Sequence, residues 1–215
     1  AKEGAFELRV EHLPYSAVHF LRTGETLPQE AFERIRDEFD AILVGAFGDP
    51  RVPSNRHADE ILLGLRRRLD LFANVRPARC LSPRLCPLAG KTERDIDFVV
   101  VRENTEGAYL GLGGTFREGW PEEMAIEEDV STRHGAARVL RFAFSLAAKR
   151  DRKSLAMADK HNVQKHGGGL WKRAFDAIAP EFPEVAARHV FADEALMLTH
   201  GLERPHILSH THPHA

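Results

Sequence analysis

Phe98-Val99-Val100-Val101 runs directly into Arg102-Glu103-Asn104-Thr105-Glu106-Gly107, and this junction constrains the fold more than any other stretch of the chain. Four apolar, mostly β-branched residues in a row read as a buried strand. A cation followed by two carboxylates at its end is costly unless those groups face a cleft. In open α/β sheets the C-terminal edge of the strands is where ligands are held. A second charged cluster, Asp159-Lys160-His161-Asn162, follows the strand-like run Leu155-Ala156-Met157-Ala158. Two strands that each end in charge predict one polar cleft built from both.

The rest of the pattern alternates strands with helices. Residues 6–10 alternate like a short strand, and Thr26 with Pro28 marks a helix start, after which Phe32, Ile35 and Phe39 recur at helical spacing. Ala41-Ile42-Leu43-Val44 reads as a buried strand closed by a turn-rich loop at 45–50. A helix over about 58–71 shows Ile61, Leu62, Leu65 and Leu69 on one face, and residues 71–78 read as strand. Residues 81–94, with three prolines and a glycine, read as a connection, and 107–128 as a projecting hairpin or arm. Helix is expected over 131–150 and 169–179, strand over 185–192. Gly111-Leu112-Gly113-Gly114 and Gly167-Gly168-Gly169 fit neither a dinucleotide fingerprint nor a P-loop and read as turns. This order predicts an α/β fold with largely parallel pairing. The expected division is a partial first domain over 1–78, a second over 79–198, and a disordered histidine-rich tail over 199–215 that can take up nickel or zinc adventitiously.

Composition narrows the function classes. With a formal net charge of −2, the chain has no bulk attraction for nucleic acid or membrane. Cys80 and Cys86 are too few for a disulfide framework or a cysteine zinc site. No apolar run approaches the ~18 residues of a membrane span. The opening Ala1-Lys2-Glu3-Gly4 is no signal peptide, so the expected location is the cytoplasm.

Arg66, Arg76 and Arg102 fall at the ends of elements, where forked guanidinium bonds can converge on a dicarboxylate; spacing alone fits surface ion pairs better. Tyr109, seven residues past Arg102, suits a general acid beside cations or a packing role. Lys160 suits a base tuned by a closed cleft or an ordinary exposed lysine. Asp193 offers an oxygen to a divalent cation, though such sites recruit several ligands.

Joined together, Asp40-Ala41-Ile42-Leu43-Val44-Gly45-Ala46, the stretch from Ile61 to Arg66, Asn74-Val75-Arg76-Pro77, Asp97 to Gly107 with Tyr109, and Asp159 to Val163 resemble the β-decarboxylating dehydrogenases of isocitrate and isopropylmalate. Phe182-Pro183-Glu184-Val185 and Asp193 keep the register, and the resemblance covers about 6–197. It implies an incomplete isopropylmalate dehydrogenase-like fold whose 107–128 arm joins a homodimer, and NAD-dependent oxidative decarboxylation of a 2-hydroxy diacid with Mg²⁺ or Mn²⁺. By the same resemblance, Arg66, Arg76 and Arg102 grip the substrate carboxylates, and Tyr109 protonates the enol carbon. Lys160 is the base on the C2 hydroxyl, Asp193 a metal ligand and Asn162 a neighbour of the nicotinamide, with Lys160 and Asp193 serving the opposite subunit's site. The stretch Ile61-Leu62-Leu63-Gly64-Leu65-Arg66 is most similar to the isopropylmalate branch, which acts in leucine biosynthesis. There Leu62, Leu63 and Val163 wall the isopropyl group, a contribution of about 2 kcal/mol.

The family's glycine-rich opening unit does not occur here. Neither do its Asn-x-Phe-Gly-Asp-x-x-x-Asp segment with two further metal aspartates and its adenine-binding loop. A chain truncated at both ends is therefore expected. The alternatives are a tartrate/D-malate dehydrogenase-like enzyme, a catalytically inactive remnant, or a binding module that keeps the arginines.

Overall fold

The computed structural model describes residues 7–194 and 207–210, which fall into two compact units that meet between Leu69 and Asp70. The expected boundary near 78 lies nine residues further on. The reason is that the strand over 73–79 pairs with the second unit's sheet.

The regular elements of the first unit's described part are all helical. α1 (Ala17–Thr23) is capped by Ser16, whose hydroxyl accepts the His19 N–H, and ends on Gly24 in the left-handed region. α2 (Gln29–Glu38) begins after Pro28. Thr26 does not cap it; its hydroxyl donates instead to Glu60 at 2.5 Å. α3 (Arg56–Ala58) passes through a π turn (Asp59–Leu63) into α4 (Gly64–Arg68). Phe32 and Ile35 pack against Ile61 and Leu65, with Leu13, Tyr15, Leu27, Phe47 and Leu69 around them. The expected strand at Ala41-Ile42-Leu43-Val44 is corrected: these residues are irregular and Leu43 is fully exposed. Strand backbone needs a neighbour for its N–H and C=O groups, and the described residues of this unit hold no strand. Residues 7–10 are irregular and exposed for the same reason.

In the second unit, β1 (Ala73–Arg79) pairs antiparallel with β2 (Asp97–Glu103). A hairpin of β3 (Gly113–Phe116) and β4 (Met124–Glu127) follows, fully exposed, where an arm is expected. Next come α5 (Arg133–Ala148), β5 (Ser154–Asp159), α6 (Lys165–Ile178) and β6 (Ala186–Phe191). The sheet runs β1-β2-β7-β5-β6 and is parallel except at β1. β7 (Ile207–His210) lies within the expected disordered tail, whose other residues are outside the described ones. It fills the slot between β2 and β5, where both neighbours offer unpaired backbone. No helix among the described residues is long and apolar enough to cross a membrane.

Period-two alternation assigns the faces of this sheet. Val99, Val101, Leu155 and Met157 join Val139, Leu140 and Phe144 of α5 and Trp171 and Phe175 of α6 in the main core. Phe144 is fully buried and stacks on Phe182 at 5.1 Å between ring centroids. Phe98, Val100, Ala156, Ala158 and Val190 form the opposite face. Gly167, Gly168 and Gly169 lie inside α6, not in the expected turn.

Asp97, which opens β2, accepts hydrogen bonds from Arg150 at 2.8 Å and Arg79 at 3.1 Å. The Arg150 bond, ahead of that from Arg79, holds its carboxyl below the usual carboxylate range. A depressed folded pKa stabilises the fold above the unfolded value of about 3.9, and that stability is lost as pH falls through the folded pKa. Asp97 is partly solvated, so the expected effect is at most ~1 kcal/mol. Asp97→Asn is expected to lower urea stability at pH 7 and to converge with the wild type on acidification below pH 4 (a bound of about the unfolded pKa). An equal loss at all pH values would contradict the assignment.

Candidate active site

At the C-terminal end of β2 the charges separate by role. Glu103 is 8% exposed, and its carboxylate accepts the Thr105 N–H at 2.8 Å, the Thr105 hydroxyl at 2.6 Å and the Glu106 N–H at 2.6 Å. Glu106 turns toward α5 and accepts the Thr132 N–H and hydroxyl, while Thr132 caps the helix by accepting the Gly135 N–H. The expectation that both carboxylates are sustained by a cleft is therefore corrected. Backbone N–H groups and hydroxyls satisfy them, and the hollow they border measures only ≈ 10 Å³, about one water.

Arg102, half-buried, lies on the opposite face of β2 from Glu103. Its guanidinium stacks on Tyr109, 4.8 Å from the ring centroid, an attraction between a cation and the ring's negative face. Register places Asn74 opposite Arg102 and Arg76 opposite Val100, so Arg76 and Arg102 are diagonal neighbours on one face. That face is the one away from α5 and α6. Asn104, 8% exposed, fixes the end of β1 by donating to the Leu71 carbonyl at 3.0 Å. It also accepts from Asn74, which in turn accepts from Arg76.

Lys160 follows β5 and Asp193 follows β6, and because these strands are parallel neighbours their ends lie side by side. The Lys160 ammonium donates to Asp193 Oδ1 at 2.8 Å, with the side chains 39% and 69% exposed. Asn162 is exposed and so is Val163, which borders a cleft of ≈ 330 Å³ lined also by Asp129, Ser131, Gln164, Gly167 and Trp171. Trp171 donates to the Ser131 hydroxyl at 3.2 Å, and both residues also border the hollow beside Arg102 and Tyr109. Leu62 and Leu63, half-buried in the π turn, and Arg66, half-buried on α4, belong to the first unit. A π turn interrupts the regular helix just before Arg66, a distortion frequent at functional positions.

Burial of Cys80 pushes its thiol pKa up, which suits the incidental role expected for both thiols. A Mg²⁺ ion demands near-octahedral oxygen ligation. Asp193 contributes one carboxylate, and among the described residues it belongs to no group of three potential ligands. These residues alone do not make a Mg²⁺ site.

A tighter cluster, not expected from the sequence, lies beside Lys160. Asp159, which ends β5, is fully buried and meets His161 of the following loop and His189 of β6. The only available signal was the Asp-x-His spacing at a strand end, since His189 comes from the next strand. Gly168 holds this loop in place: a Cβ there would fall 2.4 Å from His161 Cβ and 2.6 Å from its Cα.

A family model for isocitrate/isopropylmalate dehydrogenases matches residues 1–206. The 3-isopropylmalate dehydrogenase of Streptomyces griseus is 44% identical over 189 residues, 88% of this chain and 54% of that protein. That of Frankia casuarinae is 46% identical over 175 residues, 81% of this chain and 50% of that protein. The crystal structure of isocitrate dehydrogenase from Methylococcus capsulatus superposes with a TM-score of 0.71 at 26% identity, covering 92% of this chain and 56% of that one. The chain thus spans about half the length of the curated relatives it matches.

Gly168→Ala tests the packing under the site. In an open helix the exchange gains up to ~1 kcal/mol, but overpacking against the His161 backbone costs about 1–3 kcal/mol. A net loss in urea unfolding is expected. Gly167→Ala, whose nearest atom would be Ser131 Oγ at 3.7 Å, serves as the permissive control. Equal gains in both variants would contradict the account.

Proposed function

The chain belongs to the isocitrate/isopropylmalate dehydrogenase family, and on that premise we propose that it serves the NAD-dependent oxidative decarboxylation of 3-isopropylmalate, a step of leucine biosynthesis, in the cytoplasm. The observation that carries this reading is the pairing of Lys160 with Asp193 across two parallel strand ends. This pair at the sheet's C-terminal edge supports a role for Lys160 as the base on the C2 hydroxyl, which it fills once its own proton has passed to water.

In this reading Arg76, Arg102 and Arg66 bind the two substrate carboxylates. Forked guanidinium bonds fix the diacid in one orientation. Tyr109 lies against Arg102 and delivers a proton to the enol carbon after CO₂ leaves. Leu62, Leu63 and Val163 offer apolar surface to the isopropyl group. Asn162 would lie beside the nicotinamide of NAD⁺, a group that would supply hydride acceptance from C2. Mg²⁺ or Mn²⁺ is the proposed second cofactor, with Asp193 as one of its ligands. The exposed hairpin of β3 and β4, which presents Phe116, Trp120, Met124 and Ile126 to solvent, is the proposed contact of a homodimer in which Lys160 and Asp193 serve the opposite site.

The test is NADH formation at ~340 nm, the ordinary absorbance of a nicotinamide hydride carrier, with 3-isopropylmalate and Mn²⁺, run beside D-malate, tartrate and isocitrate. Turnover is expected with 3-isopropylmalate first. Removal of an acid–base group costs ~10²–10⁴-fold, so Lys160→Ala and Tyr109→Phe are each expected to lose that much in kcat. Preference for another diacid, or wild-type rates in Lys160→Ala, would overturn the proposal.

A further inference from the structure

Asp159, His161 and His189 bring two imidazoles and one carboxylate together near the ends of β5 and β6, with one ligand atom from each within 4.8 Å of the other two. Asp159 Oδ1 already accepts the His161 N–H at 3.1 Å and lies 2.9 Å from His161 Nδ1 and 3.1 Å from His189 Nε2. Two ligands bound at the ~2.0–2.1 Å typical of zinc are themselves roughly 2.9–3.4 Å apart at right-angled to tetrahedral geometry. Both histidine nitrogens therefore lie at coordination-shell spacing from Asp159 Oδ1.

Hydrogen bonding alone leaves this cluster incomplete. A proton on His161 Nδ1 serves Oδ1, yet Asp159 Oδ2 is buried and accepts no hydrogen bond, and His189 Nε2 is buried without one. Asp159 is 0% exposed, and a buried carboxylate oxygen left unmatched is costly. One cation that accepts lone pairs from both orphaned atoms would satisfy them together. Packing holds the set in place: the His161 ring lies 4.9 Å from that of His189 and 5.1 Å from that of Phe191, and Gly168 lets α6 close on the His161 backbone.

We propose that Asp159, His161 and His189 form a site for one divalent transition-metal ion, of the zinc class, distinct from the cofactor position at Asp193. Imidazole donors select zinc, nickel or cobalt over Mg²⁺ or Ca²⁺, and no thiolate is present to favour a softer ion. Occupied, the site ties the ends of two adjacent parallel strands together one residue from Lys160. This inference stands on the cluster itself and does not depend on the activity proposed above.

The experiment titrates Zn²⁺ alone into the full chain and follows heat and melting temperature. Because His206, His210, His212 and His214 also offer imidazoles, the reference protein carries alanine at those four positions. One equivalent of Zn²⁺ is expected to bind the reference and raise its melting temperature. His189→Ala and His161→Ala are each expected to weaken binding at least ~10-fold and to abolish the thermal shift. His161 is partly exposed, so its variant keeps the fold, checked by circular dichroism. Asp193→Asn is expected to bind Zn²⁺ as the reference does. Absence of binding to the reference, unchanged binding in both histidine variants, or loss in Asp193→Asn would each overturn the proposal.

Discussion

A carboxylate taken out of water has to be matched by donors or by a cation, and both β2 and β5 end on such a group. Glu103 and Asp159 are each the last residue of a buried strand. Glu103 is matched by the turn that follows it, through two N–H groups and a hydroxyl. That turn delivers Glu106 to Thr132, which starts α5. Asp159 is matched only in part, by His161 and its backbone. The two acids thus shape the loops that carry Tyr109 and Lys160, while Arg102 precedes Glu103 on β2 itself.

This explains the intermixing of roles along each cluster. Arg102 and Glu103 are adjacent, yet strand geometry sends them to opposite faces. Arg102 goes to the face shared with Arg76 and Phe98, and Glu103 to the side of Val101 and α5. At β5 the order is reversed. Asp159 is buried and Lys160 reaches out to Asp193. Gly168 is the complementary device: the helix opposite must lack a Cβ for the His161 loop to lie so close.

Much of the second unit was legible in the sequence. The runs at 98–101 and 155–158, the apolar stripe of α5 and the exposed hairpin all announce themselves by local period. What was not legible depends on neighbours. Ala41-Ile42-Leu43-Val44 has the composition of a buried strand but no described partner strand, so it stays irregular. Gly167-Gly168-Gly169 looks like a turn, and its place in a helix is explained only by the loop packed against it. β7 is too short to signal by pattern and exists because two strands leave a slot. Of the candidate site, Lys160 with Asp193 and Arg102 with Tyr109 come together as neighbours. His189 could not be foreseen, because its partners arrive from a different strand.

The central claim is that Arg102 and Glu103, adjacent at one strand end, divide between the proposed substrate binding and architecture. Calorimetric titration of 3-isopropylmalate into Arg102→Ala and Glu103→Gln tests it most directly. A charged hydrogen bond contributes about 1.5–3 kcal/mol, so Arg102→Ala is predicted to bind at least ~10-fold more weakly at unchanged melting temperature. Glu103→Gln is predicted to melt earlier while, still folded, binding as the wild type does. Unchanged affinity in Arg102→Ala, or selective loss of binding without loss of stability in Glu103→Gln, would contradict the account.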